Sequence, residues 1–307
     1  MNWKLYKEES IMATISPGVT KVGFIGTGVM GKSMAGHLKE AGYGIHIYTR
    51  TKAKAADLIT QGAVWHDTPD ELAAACQVII TMVGYPSDVE ELYLGKRGLI
   101  ATGLKGSYLI DMTTSSPSLA QRIHQAAAVR GMHSLDAPVS GGDIGAREAR
   151  LSIMVGGDQE TFDALMPILS LMGKNIVMQG AAGAGQHTKM CNQIAIATNM
   201  IGVCEAIVYA TQAGLDPETV LKSIESGAAG SWSLSNLAPR IIAGNFEPGF
   251  YVKHFIKDMQ IALDSAEEMG LKLPGLTLAR SLYGQLADQG FGDKGTQALY
   301  KVLQSSN

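Results

Sequence analysis

Residues 21–34 read KVGFIGTGVMGKSM, and the fold of the chain follows from how this stretch is read. The run KVGFI is short, apolar and ends in glycine, which suits a buried strand. Gly26, Gly28 and Gly31 then form a G-x-G-x-x-G spacing that opens a segment of helical character. In a strand–turn–helix unit the first glycine makes the tight turn. The second lets a pyrophosphate approach the backbone, and the third lets helix and strand pack closely. The free N–H groups and positive dipole end of the helix then face the phosphates. Gly26, Thr27, Gly28, Val29, Met30 and Gly31 are therefore expected to form a dinucleotide-binding loop.

Outward from this loop the same pattern repeats. GIHIYT (44–49), QVIITMV (77–83), SYLIDM (107–112) and HSLDAPV (133–139) are further short apolar runs, separated by Ala- and Leu-rich segments of helical length. Short buried strands joined by helices predict a doubly wound parallel sheet of the Rossmann type. RLSIMVGGD (150–158) and NIVMQG (175–180) read as later additions to that sheet. Beyond Gly180 strand signals almost vanish. Helices are expected at 186–213, at 216–226 with Asp216 and Pro217 as N-cap and first residue, at 252–269, at 275–289 and at 295–304. The expected organisation is an N-terminal extension (1–20), a dinucleotide-binding Rossmann domain (21–182) and an all-helical C-terminal domain (183–307) for substrate and oligomerisation, with a hinge-like glycine stretch, AAGAG, at the junction.

Composition narrows the function classes. The 307 residues are enough for two domains with a sizeable core. Charged residues make up only 17%, a lean surface that points to some of it being hidden in a homodimer or homotetramer. A net charge of −3 without a basic block argues against nucleic acid. Cys76, Cys191 and Cys204 show no CxxC spacing, so a reducing cytoplasm is expected, and Cys191 is assigned to packing. The first twenty residues lack the apolar core of a secretory signal. The 190–213 segment carries Asn192, Gln193, Asn199, Glu205, Tyr209 and Gln212 on several faces, so it is read as a helix buried in protein and no membrane partner is expected. The seven histidines have no metal-site spacing, and no metal is expected.

Four further places bear on chemistry. Past the second strand an NAD enzyme would carry an acid for the ribose 2′-hydroxyl. Here Thr49, Arg50 and Thr51 stand there, with Lys52 and Lys54 behind. No acid is present to repel a 2′-phosphate and Arg50 can grip one, which favours NADP(H) over NAD(H); a solvated basic loop has the same composition. In DAPVSGG (136–142), Ser140, Gly141 and Gly142 can offer a hydroxyl and successive N–H groups to a carboxylate. Lys189 and Asn192, at i and i+3, share a helix face in GAGAGQHTKMCNQ. An apolar setting near a helix N-terminus lowers a lysine pKa toward the range acid–base catalysis needs. Spacing alone equally allows a snorkelling lysine at a domain seam. Lys257–Asp258 reads by default as a surface ion pair.

Taken in order, GFIGTGVMG, DAPVSGG, GAGAGQHTKMCNQ and KDMQIAL resemble the four motifs of the β-hydroxyacid dehydrogenase family, which includes 3-hydroxyisobutyrate dehydrogenase and tartronate and succinic semialdehyde reductases. The resemblance covers nearly everything from Lys21 onward. It implies Lys189 as catalytic acid/base with Asn192 as its partner, and Ser140, Gly141 and Gly142 as a carboxylate cradle. It further implies Lys257 near nicotinamide and substrate, and Thr114 along the cofactor cleft. Met82 and Val83, at the end of strand 77–83, are counted with the cofactor residues, and Trp232 with Phe250 as a lid over the substrate. The family often has Gly-Thr where this chain has Ala149-Arg150. The expected activity is hydride transfer between NADP(H) and a small 3-hydroxy acid or its semialdehyde. The alternatives are an imine reductase of the same architecture, which usually replaces the lysine with Asp or Tyr, and a non-catalytic NADP-binding sensor or scaffold.

Overall fold

The computed structural model describes residues 15–305. Residues 1–14 of the expected extension lie outside that range; of the rest, Gly18 donates its N–H to the Gly42 carbonyl (2.9 Å). Strands β1 (Lys21–Ile25), β2 (Gly44–Tyr48), β3 (Val64–Trp65), β4 (Val78–Thr81), β5 (Tyr108–Asp111) and β6 (His133–Asp136) run parallel in the order β3-β2-β1-β4-β5-β6. This is the doubly wound arrangement, and the chain reverses direction of travel across the sheet between β1 and β4.

Both faces of the sheet are covered, which is why its strands read as continuous apolar runs. Every residue of β4 is buried. Val78 and Ile80 join Val22, Phe24, Met34 and Leu38 on one face. Ile79 joins Ile25, Leu72, Cys76 and Leu109 on the other. Gly23 is small because the Leu72 side chain occupies the space a Cβ would need, 2.3 Å away.

The added strands depart from the parallel expectation. β8 (Leu151–Gly157) meets β6 antiparallel, the short strand β7 (Val139–Ser140) pairs antiparallel with β8, and β9 (Gly173–Gly180) runs parallel to β8. The physical reason is the connection: β7 and β8 are joined by a short helix, Gly142–Arg147, that turns the chain back rather than crossing over the sheet.

From Ala184 onward every regular element is helical among the described residues. The long helix Ala184–Gln212 is central, with helices Val252–Glu268, Pro274–Leu286 and Leu299–Ser305 packed against it. Met200, Cys204, Phe255, Met259, Tyr283 and Leu299 form the middle of this second core. The long helix is long and apolar enough to cross a membrane by length and composition alone. Here it is the core helix of its unit. Asp216 caps helix Pro217–Ile224 as expected, accepting the Thr219 N–H (3.1 Å).

Candidate active site

The glycine loop lies between the C-terminal ends of β1 and β4, the crevice where open α/β sheets bind ligands. Gly26 has φ +98° and its absent Cβ would lie 2.2 Å from the Met82 carbonyl oxygen. A Cβ on Gly31 would lie 2.0 Å from the Gly26 carbonyl oxygen, so only glycine lets the helix start against the turn. Gly28 faces open space within 4 Å. Beside it the Thr27 hydroxyl is buried without a hydrogen-bond partner among the described residues. An open backbone edge, an unsatisfied buried hydroxyl and a helix N-terminus together fit a dinucleotide pyrophosphate. Val29 is exposed and Met30 half-buried at the same rim. The facing rim is Met82 and Val83, both half-buried, with the Val83 N–H donating to Thr113 Oγ1 (3.0 Å).

At the tip of β2, Thr49 is half-buried while Arg50 and Thr51 are exposed. The expectation that no acid stands near this group is corrected by tertiary structure. Asp88, from the helix after β4, forms an ion pair with Arg50 at 2.5 Å. Lys52 lies over the Trp65 ring, 5.0 Å from its centroid.

The junction between sheet and helices is pinned, not a free hinge. Gly183 (φ +93°) donates its N–H to Asp136 Oδ1 and Gln186 donates its own to Asp136 Oδ2, both at 2.8 Å. The Gln186 side chain accepts from the Ser115 N–H (2.9 Å) and donates to the Thr113 carbonyl (2.8 Å). Gly156 and Gly185 make this approach possible, since a Cβ on either would lie within 3 Å of Asp136 oxygens. A carboxylate from β6 thus caps the long helix and sets the rotation of everything on it. Burial pushes the Asp136 carboxyl up to about 6, opposed by these backbone hydrogen bonds. Asp136 carried no signal in sequence, where it reads as one more strand residue.

Lys189 lies in the second turn of that helix, 7% exposed, and its ammonium makes no hydrogen bond to another described residue. Burial is the main cause that brings its pKa down to about 8; Lys257 adds to the fall and Asp258 opposes it. Lys257 and Asp258 are not the surface pair that their sequence suggested. Asp258 is 2% exposed and Lys257 13% by side chain, with Nζ 2.9 Å from Asp258 Oδ1. Lys257 also donates to the carbonyl of the half-buried Thr114 (2.9 Å), joining the helical unit to the cofactor cleft. Asp258 Oδ2 accepts from Gln193 (2.6 Å), whose Oε1 accepts from Asn192 Nδ2 (2.7 Å). Asn192, Lys257 and Thr114 are thereby linked in one network, and Lys189 feels the charges of its Lys257 and Asp258. Gln193 and Asp258 complete it; Gln193 could have been found at i+4 from Lys189.

Ser140 and Gly142 are half-buried and Gly141 is exposed, with Gly141 and Gly142 at positive φ (+130° and +63°). A Cβ on Gly142 would lie 3.8 Å from the Gly249 carbonyl oxygen, so this loop faces the helical unit. Ala149 holds φ +52°, a region that favours glycine, and the Arg150 guanidinium is turned to Glu148. Trp232 is 64% exposed at the start of a short helix. Phe250 is half-buried, edge-on to Phe255 at 5.7 Å. Cys191 is exposed rather than packed.

A Rossmann-type sheet whose crevice is bridged to a helical unit carrying a buried amine defines a nicotinamide-dependent oxidoreductase. Residues 21–180 match the NAD-binding domain of 6-phosphogluconate dehydrogenase, and residues 183–303 match the NAD-binding region of NADP-dependent 3-hydroxyisobutyrate dehydrogenase. An uncharacterised oxidoreductase of Bacillus subtilis is 64% identical over 92% of this chain and 98% of its own length. The 2-hydroxy-3-oxopropionate reductase of Escherichia coli is 39% identical over 92% and 97%. Among solved structures, Mycobacterium tuberculosis 3-hydroxyisobutyrate dehydrogenase with L-serine superposes with a TM-score of 0.86 at 30% identity, covering 93% of this chain and 99% of that one. The chain belongs to the β-hydroxyacid dehydrogenase family and is an NAD(P)-dependent dehydrogenase of the 3-hydroxyisobutyrate dehydrogenase type, acting on CH–OH groups.

Proposed function

We propose that the chain interconverts a small 3-hydroxy acid and its semialdehyde with NADP(H) in preference to NAD(H), using Lys189 as general acid/base. The observation that carries this reading is the buried Lys189 amine, brought down to about 8 beside Lys257 and Asp258. A nicotinamide bound in the crevice supplies or takes up the hydride. In reduction Lys189 donates its proton to the carbonyl oxygen as negative charge builds there; in oxidation the neutral amine accepts the hydroxyl proton. Asn192 orients the reacting oxygen, and its bond to Gln193 fixes its rotamer. Ser140, Gly141 and Gly142 hold the substrate carboxylate, Lys257 lies beside the reacting groups, and Trp232 closes over them.

Residues 183–307 form the substrate and assembly domain in this proposal. The three free cysteines suit the cytoplasm. The L-serine bound to the Mycobacterium tuberculosis relative is itself a small 3-hydroxy acid, which supports the substrate class.

The test is a screen of NADPH oxidation over glyoxylate, succinic, tartronate and methylmalonate semialdehydes, followed by Lys189→Ala on the best substrate. The variant is expected to lose ~10²–10⁴ in kcat, the range of acid–base groups, with NADPH affinity little changed. Lys189→Arg is expected not to restore it, because a guanidinium stays protonated. Turnover of folded Lys189→Ala within a few-fold of wild type ends the reading.

A further inference from the structure

Arg50 stands where the 2′-phosphate of NADP is to be gripped, yet its side chain is already engaged across the crevice. Its Nη2 lies 2.5 Å from Asp88 Oδ1. Arg50 comes from the tip of β2 and Asp88 from the first turn of helix Pro86–Leu94, so the pair spans the outer end of the cleft from one wall to the other.

The two partners are held very differently. Arg50 is 73% exposed by side chain and Asp88 only 20%. Asp88 Oδ2 accepts the N–H of Tyr85 (3.2 Å), the residue that precedes its helix. The positive end of that helix favours its negative charge. Asp88 is therefore a fixed anion and Arg50 a movable cation. The other cations past β2 do not relieve the contest. Lys52 sits over the Trp65 ring, and the exposed Lys54 has no side-chain partner among the described residues.

We propose that Asp88 sets the cofactor selectivity of this protein by competing with the 2′-phosphate for Arg50. This rests on the assignment of Arg50 to the 2′-phosphate. A phosphate entering there must draw the guanidinium away from a carboxylate that cannot follow, or share it and accept a like charge beside it. A dinucleotide ending in a ribose 2′-hydroxyl meets neither cost. Asp88 thereby tempers the NADP preference that Arg50 creates, and NAD(H) remains a usable cofactor.

The test measures binding, not turnover. Dissociation constants for NADPH, NADH, adenosine 2′,5′-bisphosphate and 5′-AMP are taken by fluorescence and calorimetry on wild type, Asp88→Asn, Arg50→Ala and the double variant. Asn keeps an acceptor for the Tyr85 N–H, so that hydrogen bond survives. Asp88→Asn is expected to tighten NADPH and the bisphosphate about two- to fivefold, the range that exposed ion pairs span, while NADH and 5′-AMP stay as in wild type. In the Arg50→Ala background the same change is expected to have no effect on the ratio. Weaker NADPH binding in Asp88→Asn would show that the acid orients Arg50 instead, and overturns the proposal. An equal change for both cofactors, or none, overturns it as well. If Arg50→Ala lowers the NADPH/NADH preference while Asp88→Asn leaves it alone, the role of Arg50 stands and that of Asp88 falls. If Arg50→Ala also leaves it alone, both fall.

Discussion

At the residue scale the decisive event is the burial of one ammonium. A free lysine is almost wholly protonated at neutral pH and cannot cycle a proton. Burying Lys189 removes water from the charged form, and Lys257 adds repulsion; only Asp258 favours the charge. The sign of the pH dependence follows. Under the acid–base role proposed for Lys189, reduction uses the protonated amine, so its rate is expected to fall as pH rises through about 8; oxidation uses the neutral amine and is expected to rise through the same range. Asp258→Asn removes the one group that raises this pKa, so both midpoints are expected to move to lower pH. Stopped-flow or steady-state profiles in both directions measure this. A midpoint that stays put in folded Asp258→Asn separates Asp258 from the amine.

At the element scale the glycine loop divides its work among three positions, in the way the strand–turn–helix setting of the motif leads one to expect. Gly31 and Gly26 are structural, each facing a carbonyl oxygen within 2.2 Å of where a Cβ would stand. Gly28 faces open crevice. Gly28→Ala is therefore expected to keep a wild-type melting temperature and to weaken NADPH binding at least tenfold, because the methyl stands where the pyrophosphate must come close. Gly31→Ala is expected to lower stability by about 1–3 kcal/mol, as small-to-large changes at tight contacts do. Differential scanning calorimetry and cofactor titration on both proteins check the pair. Equal loss of stability in the two variants would contradict the division.

At the scale of the whole molecule, the long helix leaves a stripe uncovered. Cys191, Ala195, Thr198, Gly202, Glu205 and Tyr209 are exposed along it, with Tyr209 at 75%. Leu271 and Leu278, each more than half exposed, lie on the turn and helix that follow Met269. A stripe of small and apolar residues with one charge suits a second copy of the chain better than water. Sedimentation velocity at micromolar concentration is expected to show a dimer or tetramer, and Glu205→Lys/Tyr209→Glu to shift it toward monomer. A monomeric wild type would contradict this.

Much of the molecule was legible because periodicity and glycine spacing are local. Strand β4 reads as a strand in VIIT, and Asp216-Pro217 marks a helix start, since an apolar run and an N-cap are each recognised within a few residues. Lys189, Asn192 and Arg50 were visible for the same reason: their type and their immediate setting are both in the sequence. What only the tertiary structure decided is which distant charge meets them. Asp258 lies 69 positions after Lys189, and Asp88 lies 38 after Arg50, far beyond any local pattern. Asp136 clamps a helix that begins 48 residues later. An aspartate in a sequence has the same charge wherever it stands. Its effect on a lysine or arginine depends on distance and on how much water lies between them, and both are set only when the chain folds.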